Sequence, residues 1–164
     1  MNGLKLLLLF SYGAALKGLC GDRNFVKKIE EFVEGERTDQ EMRAEIREKL
    51  KIAWPFLRLM SGRKNDPLKL ANVRRYVFLA HNQFVMKGSG CEVLAAKILT
   101  INEKKRIAMV EMNKKETTVR FFRQPDLSKG QWVAVHQGWV ICKISRSQRK
   151  MIRSGLLDQT MGLG

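Results

Sequence analysis

The sequence predicts an α+β protein, in which an N-terminal helical domain is followed by a small OB-like β-barrel with a C-terminal helix. Three observations support this fold class. Apolar residues recur at helical spacing up to about residue 80, short strand-like segments begin near residue 90, and a new helix start follows residue 144. We place the helical domain at residues 1–85, the barrel with its terminal helix at 86–155, and a tail at 156–164.

The first helices are indicated by apolar spacing and by capping residues. Residues 4–19 form an apolar opening segment, and residues 25–33 repeat apolar side chains at helical intervals before Gly35, a residue that commonly ends helices. Thr38 followed by Glu41 fits a capping box, so the next helix is expected to begin near residue 39.

Two prolines mark expected changes in the helical half. Pro55 should kink or end the helix that begins near residue 39, because proline lacks an amide donor and clashes with the preceding turn. Asp66 followed by Pro67 predicts another helix start, with an N-cap acceptor and proline at the first helical position.

The C-terminal half changes to strand-like patterns. The expected strands are residues 93–102, 106–112, 117–122 and a long apolar run, 131–144. A tight turn at Asn113 and Lys114 should lead into the third strand, and the break at Gly138 makes the long run either two strands or one sharply bent strand. Several short strands in so few residues cannot form a stable open sheet, and closure into a barrel removes the unpaired edges. Ser145 and Gln148 form a second possible capping box, so a short basic helix should follow.

The protein is strongly basic. Its 31 Lys and Arg residues exceed its 16 Asp and Glu residues by 15 charges, and residues 86–164 hold 15 basic and 6 acidic side chains. Such a charge attracts polyanions or acidic protein surfaces, although a spread excess is also typical of an ordinary solvated surface. An acidic protein surface is therefore one expected partner.

The three cysteines, Cys20, Cys91 and Cys142, are widely spaced and odd in number. They form neither a disulfide framework nor a structural zinc motif, which indicates a reducing, cytoplasmic location. The leucine-rich start resembles a signal peptide only briefly, because polar residues and Lys17 interrupt it. No apolar run is long enough to span a bilayer.

No standard catalytic motif is present, and two residues of the barrel half draw attention. Cys91 opens the first predicted strand after a Gly-Ser-Gly turn, and its thiolate would be a nucleophile or a soft metal ligand. His136 lies in the apolar run before Gly138. Taken alone, Cys91 is better explained as a small buried residue, and His136 as a hydrogen-bonded core residue.

Together these segments resemble the HypC/HupF family of [NiFe]-hydrogenase maturation chaperones. The segment from Cys91 to Asn102 resembles the start of that family. The segment from Gly130 to Ile144 resembles its Gly-x-Trp/Tyr-Val-x-Val-His-x-Gly signature, which an apolar strand follows. The resemblance covers residues 90–151.

The resemblance implies a non-enzymatic protein that binds a HypD-like protein and the precursor of a hydrogenase large subunit. It implies that Cys91 and His136 hold iron in transit, with cyanide and carbon monoxide as its other ligands. Within the signature segment we expect contacts with the partner. The residues expected to make them are Trp132, Gln137, Gly138 and Trp139.

The chain also departs from the family pattern. The family's cysteine directly follows the initiator methionine, whereas Cys91 is internal and follows Gly90. Ala95 stands where the family has a proline, and ordinary members lack the helical half. Residues 53–56 and 66–68 resemble a poorly characterised family that joins a helical region to a HypC-like barrel.

Three alternative functions stay open. A single-stranded nucleic-acid-binding barrel would use basic hairpins and stacking aromatics, although the aromatics could instead fill the core. The site residues of this alternative are Lys104, Lys105, Arg106, Lys114, Lys115, Arg120, Phe121 and Arg123, with Phe122, Trp132 and Trp139 as further stacking candidates. A structural subunit would dock through residues 4–19, and an enzyme would use Cys91 as nucleophile and His136 as base.

Overall fold

A computed structural model describes residues 1–62, 65–85, 89–122 and 126–157, with only the backbone of residues 156 and 157. The described residues divide into two compact units, Met1–Val77 and those from Phe78 onward. Helices come first, a closed five-stranded barrel follows, and a helix ends the described chain. The predicted fold class is confirmed.

The first unit is built of helices. They are α1 (Gly3–Leu16), α2 (Arg23–Glu34), α3 (Asp39–Lys49), α4 (Ala53–Ser61) and α5 (Leu70–Arg75). The helix α1 is buried around almost its whole circumference and packs against α2 and α5. The apolar opening run, through which the structural-subunit alternative would dock, is therefore covered by the chain itself.

Local capping residues set several helix ends as predicted. The side chain of Thr38 accepts a hydrogen bond from the Glu41 amide, and Glu41 accepts one from the Thr38 amide, so the capping box is present. Gly35 ends α2 with φ of 91°, a backbone conformation that favours glycine.

Both proline predictions are wrong in position. The helix α3 ends at Lys49, and Pro55 lies in the first turn of α4, where a missing amide costs little because that amide has no partner within the helix. The next helix begins at Leu70 instead of Pro67. Asp66 accepts from the Leu68 amide and pairs with the guanidinium of Arg43. The residue predicted to cap a helix therefore makes a tertiary ion pair instead.

A π-helical turn (Tyr76–Ala80) contains the boundary between the two units. The helix α6 (His81–Phe84) follows it in the second unit. The barrel strands are β1 (Leu94–Asn102), β2 (Ile107–Met112), β3 (Lys115–Arg120), β4 (Trp132–His136) and β5 (Trp139–Lys143). They close in the order β1-β2-β3-β5-β4, and every neighbouring pair is antiparallel except β3 with β5.

Tight turns join the strands where the sequence predicted them. Asn113 and Lys114 have φ of 52° and 62° between β2 and β3, and Gln137 and Gly138 have φ of 54° and 83° between β4 and β5. Two consecutive left-handed residues make a two-residue hairpin that matches the twist of its strands. The break at Gly138 therefore separates two strands, as one of the two expected arrangements required.

The barrel interior is filled by apolar side chains. Its buried core consists of Ala96, Ile98, Ala108, Val110, Val119, Phe121, Leu127, Val133, Val135 and Val140. Alternate residues of β2 point inward, with Ala108 and Val110 buried and Met109 exposed.

The terminal helix α7 (Arg146–Leu157) starts at the predicted capping box. Gln148 accepts from the Ser145 amide, and the hydroxyl of Ser145 accepts from the Gln148 amide. Farther along, Gly155 packs so closely that an added Cβ would lie 2.7 Å from the carbonyl oxygen of Leu79. This close approach holds α7 against the segment that precedes the barrel.

None of the helices in the described parts of the chain combines the length and the apolar character that crossing a membrane requires.

Candidate functional site

The candidate site is centred on Cys91, which lies in the short segment before β1. The Cys91 amide donates to the hydroxyl of Ser89 at 3.2 Å, and Gly90 adopts φ of 76°. Val93 follows Cys91 by two residues and is bound by the fully buried side chain of Asn82. This side chain accepts from the Val93 amide and donates to the Val93 carbonyl, each at 2.8 Å. These hydrogen bonds fix the backbone on both sides of Cys91, whose side chain is partly exposed.

The β4–β5 turn reaches this cysteine. The side-chain amide of Gln137 donates to the Cys91 sulfur at 3.0 Å, although 46 positions separate the two residues. The left-handed backbone at Gln137 and Gly138 places the amide there. His136, the preceding residue and the last of β4, is 3% exposed. The end of β4 that carries His136 is therefore at the Cys91 segment.

The second histidine of the chain, His81, also belongs to this site. Its Nε2 lies 2.9 Å from the Cys91 carbonyl oxygen, and its ring meets the ring of His136 edge to face at 5.3 Å between centroids. His81 was not among the residues predicted for the site, because the predicted domain boundary placed it in the helical domain, residues 1–85. The presence of only two histidines in the chain was the one available signal.

Burial lowers the pKa of His81, and the Cys91 carbonyl and Glu92 oppose this shift. The imidazole is therefore neutral near pH 7. Because a backbone carbonyl can only accept, Nε2 carries the proton and Nδ1 carries the lone pair. The site thus contains a thiol, two imidazole rings and one amide.

These groups are of the types that ligate soft metal ions, but they do not by themselves complete a metal site. A thiolate and an imidazole are suitable ligands for iron, and a neighbouring amide can orient the sulfur. Within residues 1–62, 65–85, 89–122 and 126–157, no three His, Cys, Asp or Glu side chains are grouped closely enough to hold a metal ion. A metal bound at Cys91 would need further ligands of its own or from a partner.

The expected partner-binding residues divide between the two ends of β4. Gln137 and Gly138 form the turn beside Cys91, and Trp139 begins β5 with its ring 5.4 Å from that of Phe122. Trp132 begins β4, at the far end of the strand from His136, and the guanidinium of Arg149 lies 4.1 Å from its ring centroid.

The residues of the nucleic-acid alternative are not brought together in one groove. Lys104, Lys105 and Arg106 lie in the exposed β1–β2 turn, near Arg120, which pairs with Ile107. The exposed pair of Lys114 and Lys115 lies at the opposite end of β2 and β3. Phe121 is in the barrel core, and Arg123 lies outside the described residues.

Comparison of the sequence with protein-family models finds no family that matches it, and comparison with curated proteins finds no match either. The function of the chain must therefore be inferred from the residues of the site itself.

Proposed function

We propose that this protein is a non-catalytic assembly or maturation factor of the HypC type, which holds a metal-containing cargo at Cys91 and passes it to a partner protein. The observation that carries the proposal is the contact between Cys91 and Gln137. It joins the two segments that resemble the HypC family, at a cysteine whose side chain is partly exposed.

The hydrogen bonding at the sulfur supports binding over catalysis. In the described chain, the hydrogen-bond donor to the Cys91 sulfur is the amide of Gln137, while His81 contacts the backbone carbonyl of the same cysteine. A cysteine nucleophile is ordinarily activated by a base within hydrogen-bonding reach of its sulfur. An amide cannot take the proton, but it can orient a sulfur that binds a metal.

The small number of candidate ligands supports a cargo that is carried rather than enclosed. Cys91 and His136 are the proposed protein ligands, and His81 packs against the ring of His136. Iron that already carries cyanide and carbon monoxide needs few ligands from the protein. A site with few ligands and an accessible sulfur also permits release to a partner, such as a hydrogenase large-subunit precursor or a HypD-like protein.

The experiment that tests this function is an anaerobic pull-down of the tagged protein from its native cell after nuclease treatment. The wild type is compared with Cys91→Ala and with the control Cys20→Ala, because Cys20 is partly exposed to a similar degree but lies in the helical unit. We expect a hydrogenase-related protein with the wild type and the control, and its loss with Cys91→Ala. Equal recovery of the same partners by all three proteins would exclude a role for Cys91 in the handover.

A further inference from the structure

A second feature of the barrel unit is a cleft between α7 and the barrel wall. It has a volume of about 560 Å³, within the range of small-ligand sites. The residues that line it are Leu94, Ala95, Asn113, Trp132, Arg146, Arg149, Lys150, Ile152 and Arg153. The sequence predicts a basic helix here, but no site was predicted on it.

The charge of the cleft comes from one face of α7. Arg146, Arg149, Lys150 and Arg153 are spaced by three, four and seven positions from the first, so they lie on one side of the helix. Among the described residues, none of the four forms a salt bridge, and no acidic residue lines the cleft. Four like charges that converge without counter-charges favour a polyanionic ligand.

Apart from Asn113, the remaining lining residues are apolar, and Trp132 among them has a planar ring. Trp132 is partly exposed, and the guanidinium of Arg149 lies over its ring at 4.1 Å. Ile152 is buried, and Leu94 and Ala95 are partly exposed. Tryptophan rings and guanidinium planes are the surfaces on which unpaired bases stack.

We propose that this cleft binds a segment of single-stranded nucleic acid. The phosphates pair with Arg146, Lys150 and Arg153, and a base stacks on the surface formed by Trp132 and Arg149. Carboxylates of an acidic protein would satisfy the cations equally well, but they would leave the planar surface without a purpose. The volume suits one or two nucleotides and is too small for a duplex.

This site is separate from the Cys91 site and from the hairpin lysines named above. It does not depend on the proposed maturation role, since none of the cleft residues belongs to the thiol and imidazole cluster. A loss of binding at the cleft and a loss of handover at Cys91 can therefore be measured independently.

The test is fluorescence anisotropy of the full-length protein with labelled 12-nucleotide oligo-dT and oligo-rU at several salt concentrations. The cleft variant is Arg146→Gln with Lys150→Gln and Arg153→Gln. The control variant removes the same charge from the hairpins, as Lys104→Gln with Lys105→Gln and Lys115→Gln. We expect the cleft variant to bind at least tenfold more weakly and to lose about two units of salt slope, which corresponds to three phosphate contacts.

A third variant, Trp132→Leu, tests stacking. It should weaken binding about tenfold while the salt slope stays unchanged, because stacking releases no counterions. Circular dichroism establishes that each variant is folded.

Two results would overturn the proposal. Equal weakening by the cleft and hairpin variants would mean that only net charge attracts the oligonucleotide. Competition by a 12-residue poly-glutamate as effective as that by unlabelled oligonucleotide would instead assign the cleft to an acidic protein segment.

Discussion

At the scale of single residues, the site depends on contacts between distant parts of the chain. Cys91 receives the amide of Gln137 at its sulfur and the imidazole of His81 at its carbonyl. His136 completes the cluster through its ring contact with His81. The only two histidines and one of the three cysteines of the chain thus belong to a single site.

The partly buried His81 should make the folded state sensitive to acid. Its folded pKa lies below the ordinary value of 6.5, so the unfolded chain takes up a proton first as the pH falls. The free energy of unfolding should therefore decrease as the pH drops below 6.5, and no such loss is expected above it. The groups around His81 include the Cys91 carbonyl, Glu92 and the ring of His136.

Urea unfolding at about pH 7.5 and about pH 5.5 measures this effect in the wild type and in His81→Gln. The glutamine keeps an N–H donor for the Cys91 carbonyl but does not titrate. The midpoint of the wild type should fall further than that of the variant between the two pH values. Equal falls in both proteins would mean that His81 is not held neutral by the fold.

Cys91, His136 and Gln137 could be named as candidates from the sequence because their segments resemble a known family, and their roles stay predictions. His81 could not be identified in this way, since its role comes from a tertiary contact that no local pattern encodes. Asp66 illustrates the same limit, because its pairing with Arg43 and the start of α5 at Leu70 were not visible in the local Asp-Pro signal.

At the scale of elements, the helical segment before the barrel and the start of β1 are joined by one side chain. Asn82 of α6 is fully buried and satisfies both the amide and the carbonyl of Val93. A buried backbone group that loses its partner pays the full desolvation penalty. The position of Cys91, two residues earlier, depends on this pair of hydrogen bonds.

We expect Asn82→Ala to lower the free energy of unfolding of the barrel unit by about 2–4 kcal/mol, because two buried backbone groups lose their partners. The matched control is Asn102→Ala, which removes an exposed amide that accepts from the Lys105 amide in the same unit. Its cost should be below about 1 kcal/mol, since water replaces the lost bond. Urea unfolding followed by circular dichroism measures both, and similar costs for the two variants would contradict a structural role for Asn82.

Elements defined by local chemistry were the ones that the sequence predicted well. The capping boxes at Thr38 and Ser145 and the turns at Asn113 and Gly138 depend on a few neighbouring residues, and all four are present. The basic cleft was not predicted, because it forms only when α7 packs beside Trp132. This residue lies fourteen positions before Arg146, the first residue of α7.

At the scale of the whole molecule, the chain combines a helical unit and a barrel unit. The contacts group residues 78–85 with the barrel, and this segment supplies both His81 and Asn82. The domain boundary that the sequence suggested after residue 85 would separate these two side chains from the site they support. The boundary after residue 85 stays a prediction, whereas the closed barrel and the terminal helix are observed.

The proposal that Cys91 carries a metal-containing cargo can be tested by measuring the iron content of the protein. The tagged wild type, Cys91→Ala and Cys20→Ala are purified anaerobically from the native cell, and iron is measured per chain together with the infrared absorption of cyanide and carbon monoxide ligands. We expect iron and these absorptions in the wild type and in Cys20→Ala, and their absence in Cys91→Ala, which should still fold. Iron-free wild-type protein, or equal iron in all three, would contradict the claim.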